Sequence, residues 1–150
     1  MKKLVVLFFA VVAIISLISF ATCEIGEEYE ATKSGVYVKN QENLPFENML
    51  EYGYATEISG VSKAEIKKYI KENEIVGEFF EVEKNKIDLN QFAKDFGLVV
   101  VERIVAGGTE NIYCYCALLP YRIENRKSNL QIAIRGDNLT VATPIIMGSF

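Results

Sequence analysis

Histidine is absent from all 150 residues, and this removes most of the chemistry that a small domain could perform. A Ser-His-Asp or Cys-His arrangement needs an imidazole to take the nucleophile's proton. The common zinc sets combine histidine with cysteine or need four cysteines, and this chain has three. Carboxylates and thiols remain. Glu78, Glu81 and Glu83 stand close together and are the one place where carboxylates could share acid–base work, for instance in glycan hydrolysis. A charge run beside an amphipathic segment is more often a solvated face. Cys114 and Cys116 would point the same way in a strand, roughly 6.5–7 Å apart from the strand rise, at or beyond the reach of a disulfide. They read as small buried thiols, and neither a metal nor a cofactor is expected.

Three further strings resemble motifs and are better explained by backbone needs. Gly107-Gly108 lacks the Gly-Lys-Ser/Thr completion of a phosphate loop and sits between strands, where it reads as a hairpin turn. Arg135-Gly136-Asp137 matches an integrin-binding tripeptide, yet Gly and Asp are what a hairpin turn needs. Asn138-Leu139-Thr140 is a glycosylation acceptor string only in a eukaryotic secretory pathway. With no nucleophile–base pair in the chain, an enzyme is not expected.

The elements that would position a surface are readable from periodicity. A strand is expected at Gly35 to Lys39, a short helix at Leu44 to Tyr52 with Pro45 in its first turn, and a strand at Tyr54 to Ser59. Ser62-Lys-Ala-Glu65 is a capping box that opens a helix to about Asn73. Val76 to Glu83 reads as a strand. Asp88-Leu-Asn-Gln91 opens a second helix, with Leu89, Phe92 and Phe96 on one face and Gly97 as its stop. Four strands follow: Leu98 to Val105, Glu110 to Leu118, Asn129 to Arg135 and Leu139 to Ile145. Pro120 to Lys127 is a polar loop between the second and third of these.

Alternation sorts the strands into two faces. Ile112, Cys114, Cys116, Leu118, Leu130, Ile132, Ile134, Leu139 and Val141 face the helices. Tyr113, Tyr115, Asn129, Gln131, Arg135 and Thr140 face away. The expected fold class is α+β, an antiparallel sheet with helices packed on one face. Its other face is left to water or to the N-terminal segment. Tyr113, Tyr115, Asn129, Gln131 and Arg135 are the candidate partner-binding residues, since Tyr and Arg are enriched at interface hot spots.

The N-terminus indicates the compartment. Lys2 and Lys3 precede an apolar run from Leu4 to Ala21, and Ser19-Phe20-Ala21 is a small-x-Ala cleavage string, so residues 1–21 read as an export signal. Three fates are open: cleavage after Ala21, retention as an anchor, or lipidation at Cys23. Residues 22–42 read as a linker and 43–150 as one α+β domain. Without Lys2 and Lys3 the chain carries 14 basic and 20 acidic residues, a net charge of −6. Such a domain is repelled by nucleic acid and by anionic lipid surfaces, so no nucleic-acid partner is expected and membrane contact only through the N-terminal segment.

At Asn129-Leu-Gln-Ile-Ala-Ile-Arg135 and Thr143-Pro-Ile145 the chain resembles the C-terminal signature of the YwmB family, exported bacterial proteins with a fold like that of the TATA-box-binding protein. The likeness takes in Ile112 to Leu119 and the following loop, and a weaker echo runs from Phe46 through the helix after Ser62. The chain departs from the family in length, because its N-terminal unit runs almost directly into the C-terminal one. The resemblance implies a curved, helix-backed antiparallel sheet and carries over no catalytic residues. The expected role is that of a non-enzymatic binding or accessory protein outside the cytoplasm, with an envelope protein or cell-wall component as partner.

Overall fold

The alternation that reads as strands builds one antiparallel sheet. The computed structural model describes residues 28–41 and 43–147. The export segment, with the fates expected at Ala21 and Cys23, lies outside the described residues. The strands are β1 (Lys33–Lys39), β2 (Met49–Tyr52), β3 (Ala55–Ser59), β4 (Ile75–Glu83), β5 (Val99–Ala106), β6 (Thr109–Tyr115), β7 (Leu130–Arg135) and β8 (Asn138–Thr143). They lie in the order β2-β3-β1-β4-β8-β7-β6-β5, every neighbour antiparallel. The sheet is curved and not closed. Two short helices, α1 (Lys63–Ile66) and α2 (Leu89–Asp95), complete the described elements together with 3-10 turns at Glu72–Glu74 and Lys84–Lys86. Among the described residues no helix is long and apolar enough to cross a membrane.

Local chemistry explains where elements stop. β8 ends at Thr143 because Pro144 has no N–H for the ladder. β6 ends at Tyr115, short of the expected Leu118, because the Asn129 side chain takes over both backbone groups of Cys116. Two-residue turns close the hairpins at Gly107-Gly108 and Gly136-Asp137, with Gly107, Gly108 and Gly136 all at positive φ, as such turns require. Asp88 caps α2 by accepting from the Asn90 and Gln91 amides at 2.9 and 3.2 Å, and Gly97 ends it at φ +59°. The edge strand β5 is exposed along its whole length. A register irregularity between Val100 and Glu102, with charges at Glu102 and Arg103, blunts it as a template for further pairing.

Three expectations are corrected. Leu44 to Tyr52 is not a helix: its second half is β2, which pairs with β3 across Gly53-Tyr54. A short apolar run carries too little periodicity to separate the two states, and the hairpin supplies a ladder that a lone helical turn lacks. The helix after Ser62 lasts one turn instead of reaching Asn73. Ser62 does accept from the Glu65 amide at 3.2 Å, but the Glu65 carboxylate goes to Lys68 at 2.5 Å, and so short a helix gains little by propagation. The strand expected at Gly35 to Lys39 is present as β1, but it lies inside the sheet between β3 and β4 and not in a linker. The folded sheet therefore starts ahead of residue 43.

The helix-side core has two clusters. Phe80, Val82, Phe92, Ile112, Ile132 and Val141 are among those packed with α2, and Val36, Val38, Ile58, Ile66, Ile70 and Ile75 are packed with α1. Leu118, expected in this core, is 42 % exposed and its neighbour Leu119 is buried instead, since the chain has left the sheet at Cys116. Cys114 and Cys116 are free and buried. Burial pushes the Cys114 thiol up, and the Cys116 thiol lies 3.3 Å from the Phe96 carbonyl.

Candidate functional site

The face turned away from the helices is built by the register Phe79↔Ala142, Ala142↔Gln131 and Gln131↔Tyr113. It has an apolar core of its own in Tyr37, Ala55, Phe79, Ala142 and Met147. After β8 the chain turns back over the sheet: the Ile146 amide donates to Gln131 Oε1 at 3.0 Å and the Met147 amide to the Tyr37 hydroxyl at 3.3 Å. Gly77 makes room for this segment, since a Cβ there would lie 2.4 Å from the Thr143 carbonyl oxygen and 2.9 Å from the Tyr37 ring.

The five expected binding residues do not form one patch. Asn129 is fully buried; its Oδ1 accepts from the Cys116 amide at 2.7 Å and its Nδ2 donates to the Cys116 carbonyl at 2.8 Å. Gln131 is also buried and donates to Asn111 at 2.8 Å. Both therefore act as internal clamps. Arg135 stands at the opposite end of β7 from them. Only Tyr113 and Tyr115 stay together, and each ring carries a guanidinium. Arg126 lies 5.3 Å from the Tyr113 ring centre and Arg122 lies 5.4 Å from that of Tyr115. Such stacking contributes about 0.5–1 kcal/mol at an exposed site and fixes the direction of the charge. Arg122 also donates to the Leu119 and Tyr121 carbonyls.

These arginines come from the loop expected only to be polar. It wraps around the end of the sheet, placing Tyr121 on the helix side and Arg122 and Arg126 on the other. With Lys39 and Tyr54 they border a hollow of about 500 Å³ whose apolar wall is Val76, Ile123, Pro144, Ile145 and Met147. Among the described residues no carboxylate lines it. Among the described residues none of the three cations has an ion-pair partner. Composition offered a weak signal, two arginines in one loop. Their meeting with the tyrosines depends on the loop's return path.

A second hollow, about 360 Å³, opens at the other end of this face and is lined in part by Lys33, Tyr37, Tyr52, Glu57, Glu81 and Arg135. Lys33 Nζ pairs with Glu57 at 2.6 Å, and the Tyr52 hydroxyl donates to the other Glu57 oxygen at 3.1 Å. Glu81 and Glu83 alternate away from Glu78, which is buried on the helix side against Lys63 and Tyr121. Glu78, Glu81 and Glu83 therefore share no site.

The Tyr52 phenol is pushed up to about 12, first by burial and then by the Glu57 carboxylate; Tyr37 is raised further, again chiefly by burial. The folded chain holds these protons after the unfolded chain has released its own near pH 10. Over that window the unfolded state binds fewer protons. The stabilisation present below pH 10 is thus lost as pH rises towards about 12. Tyr52→Phe is expected to flatten this alkaline decline in unfolding free energy. Parallel declines in the two proteins would show that Tyr52 does not contribute.

No family model, no curated protein and no solved structure matches the chain.

Proposed function

We propose that this is an exported, non-enzymatic binding protein of the cell envelope, related to the YwmB family, whose ligand surface is the sheet face opposite the helices. The carrying observation is the end of that face at Tyr113 and Tyr115. Two guanidiniums are held there on aromatic rings beside an apolar hollow that, among the described residues, no carboxylate lines. Preorganised aromatic and arginine groups around a concave apolar wall are what binding sites concentrate. On this reading the curved sheet is of the TATA-box-binding-protein type, put to a use other than DNA. The domain's net charge opposes a polyanion.

The test is photo-crosslinking in producing cells, with a probe amino acid at Tyr115 and a control at Lys67 on the far side. A discrete adduct from Tyr115 alone is expected. Equal labelling from both positions, or none from Tyr115, would refute the surface.

A further inference from the structure

We infer that the hollow bordered by Lys39, Arg122 and Arg126 binds a single-chain amphiphile with a phosphate head, an inference that rests on the binding face proposed above. Three observations carry it. The first is shape: about 500 Å³ falls within the range of about 300–1,000 Å³ typical of small-molecule sites. A concave wall takes up one molecule, whereas a bilayer needs a protruding apolar surface. The second is the lining. Val76, Ile123, Pro144, Ile145 and Met147 offer apolar contact to a chain, which is favourable by roughly 25 cal/mol per Å² removed from water.

The third is charge. Among the described residues three cations and no carboxylate line the hollow, although the chain as a whole is acidic. Glu124, between the two arginines in sequence, does not line it. Arg122 and Arg126 are seated on Tyr115 and Tyr113, whose positions two apart on one strand set the rings roughly 7 Å apart. Two guanidiniums seated on neighbouring rings of one strand can both donate to one phosphate placed between them. A phosphate monoester carries about −1.5 to −2 charge and three acceptor oxygens, so it matches three cations better than a carboxylate with one charge and two oxygens. Arginine forks suit that geometry. An uncharged chain would leave the three cations without a counterpart.

Calorimetric titration of the folded chain with monododecyl phosphate, kept below its micelle concentration, tests this. Saturable binding is expected, weaker by at least about tenfold in Arg126→Gln and further in Arg122→Gln/Arg126→Gln, since each variant removes charge-assisted hydrogen bonds to the phosphate. Both arginines are exposed, so the variants should keep the wild-type circular dichroism spectrum. Dodecyl maltoside and dodecyltrimethylammonium are expected to bind poorly.

Inorganic phosphate binding as tightly as the dodecyl ester would overturn the apolar half of the inference. Equal affinity for the maltoside, or no loss in the arginine variants, would overturn the phosphate half. Binding only to phosphatidylglycerol vesicles would make this a membrane surface, and displacement of the amphiphile by an oligonucleotide a nucleic-acid one; either overturns it. A Tyr115 crosslink in cells without amphiphile affinity would refute this ligand class and leave the binding face standing. Loss of both would refute the two together.

Discussion

Phe92→Ala is expected to lower the unfolding free energy by about 3–5 kcal/mol, the usual cost of removing a buried aromatic ring. Phe92 is the buried residue of α2, and three rings surround it: Phe96 at 4.7 Å, Tyr29 at 6.0 Å and Phe80 at 6.5 Å between centres. The tilted and edge-on arrangements are the favourable ones for aromatic quadrupoles. A helix of seven residues has almost no stability of its own, so its docking depends on this ring. Total stability for a domain of this kind is only about 5–15 kcal/mol, so the substitution removes a large part of it. Urea unfolding followed by circular dichroism reads the effect as a lower midpoint. Lys94→Ala on the exposed side of α2 should stay within about 0.5 kcal/mol of wild type. A loss under about 1 kcal/mol for Phe92→Ala would mean that α2 does not anchor the larger core.

Lys63→Met is expected to cost about 2–3 kcal/mol. The Glu78 side chain is 1 % exposed and faces Lys63, itself 22 % exposed, with the Tyr121 hydroxyl donating to the same carboxylate at 2.8 Å. Withdrawing one partner of a fully buried pair costs roughly 3–5 kcal/mol; the partial exposure of Lys63 lets water screen part of that. The mechanism predicts a sign in the double variant. Lys63→Met with Glu78→Gln should be more stable than Lys63→Met alone, because the amide needs no countercharge and can still accept from Tyr121. Methionine covers the same stem length, which separates lost charge from lost packing. If the double variant is no more stable than the single one, charge burial is not the source of the loss. Glu78 lies between the α1 and α2 clusters, so this pair, with Tyr121 from the wrapping loop, ties together three segments distant in sequence.

Much of the fold was legible because its signals are local. Period-two alternation located β3, β4, β5, β6, β7 and β8 to within a few residues, apart from the early end of β6. Gly107-Gly108 and Gly136-Asp137 marked their turns, and Asp88 and Gly97 bounded α2. Each of these rests on the preference of a residue or its near neighbours. The misreadings share the opposite property. Leu44 to Tyr52 became a strand because β3 offered a ladder. The helix after Ser62 stopped after one turn because only Ile66 and Ile70 reach the core.

The site was less legible than the fold. Tyr113 and Tyr115 were found by alternation, which assigns a face. Asn129 and Gln131 were assigned to that same face, but alternation says nothing of what lies on top of it. The C-terminal segment covers Gln131, and the end of β6 claims Asn129. Arg122 and Arg126 were invisible as site residues because a loop has no period from which to read a direction.

The sequence by itself determined the strands other than β2, the hairpin turns, the cap and stop of α2, the two faces of the sheet and the absence of imidazole chemistry, since each follows from the covalent alternation of the backbone, from local residue preference or from composition. Only the tertiary structure decided which face residues are free. Met147 reaches Tyr37 across 110 positions and Arg126 reaches Tyr113 around the sheet's end. Contacts at such separation are set by the collective packing of the sheet and the entropy of closing long loops, which local propensities do not encode.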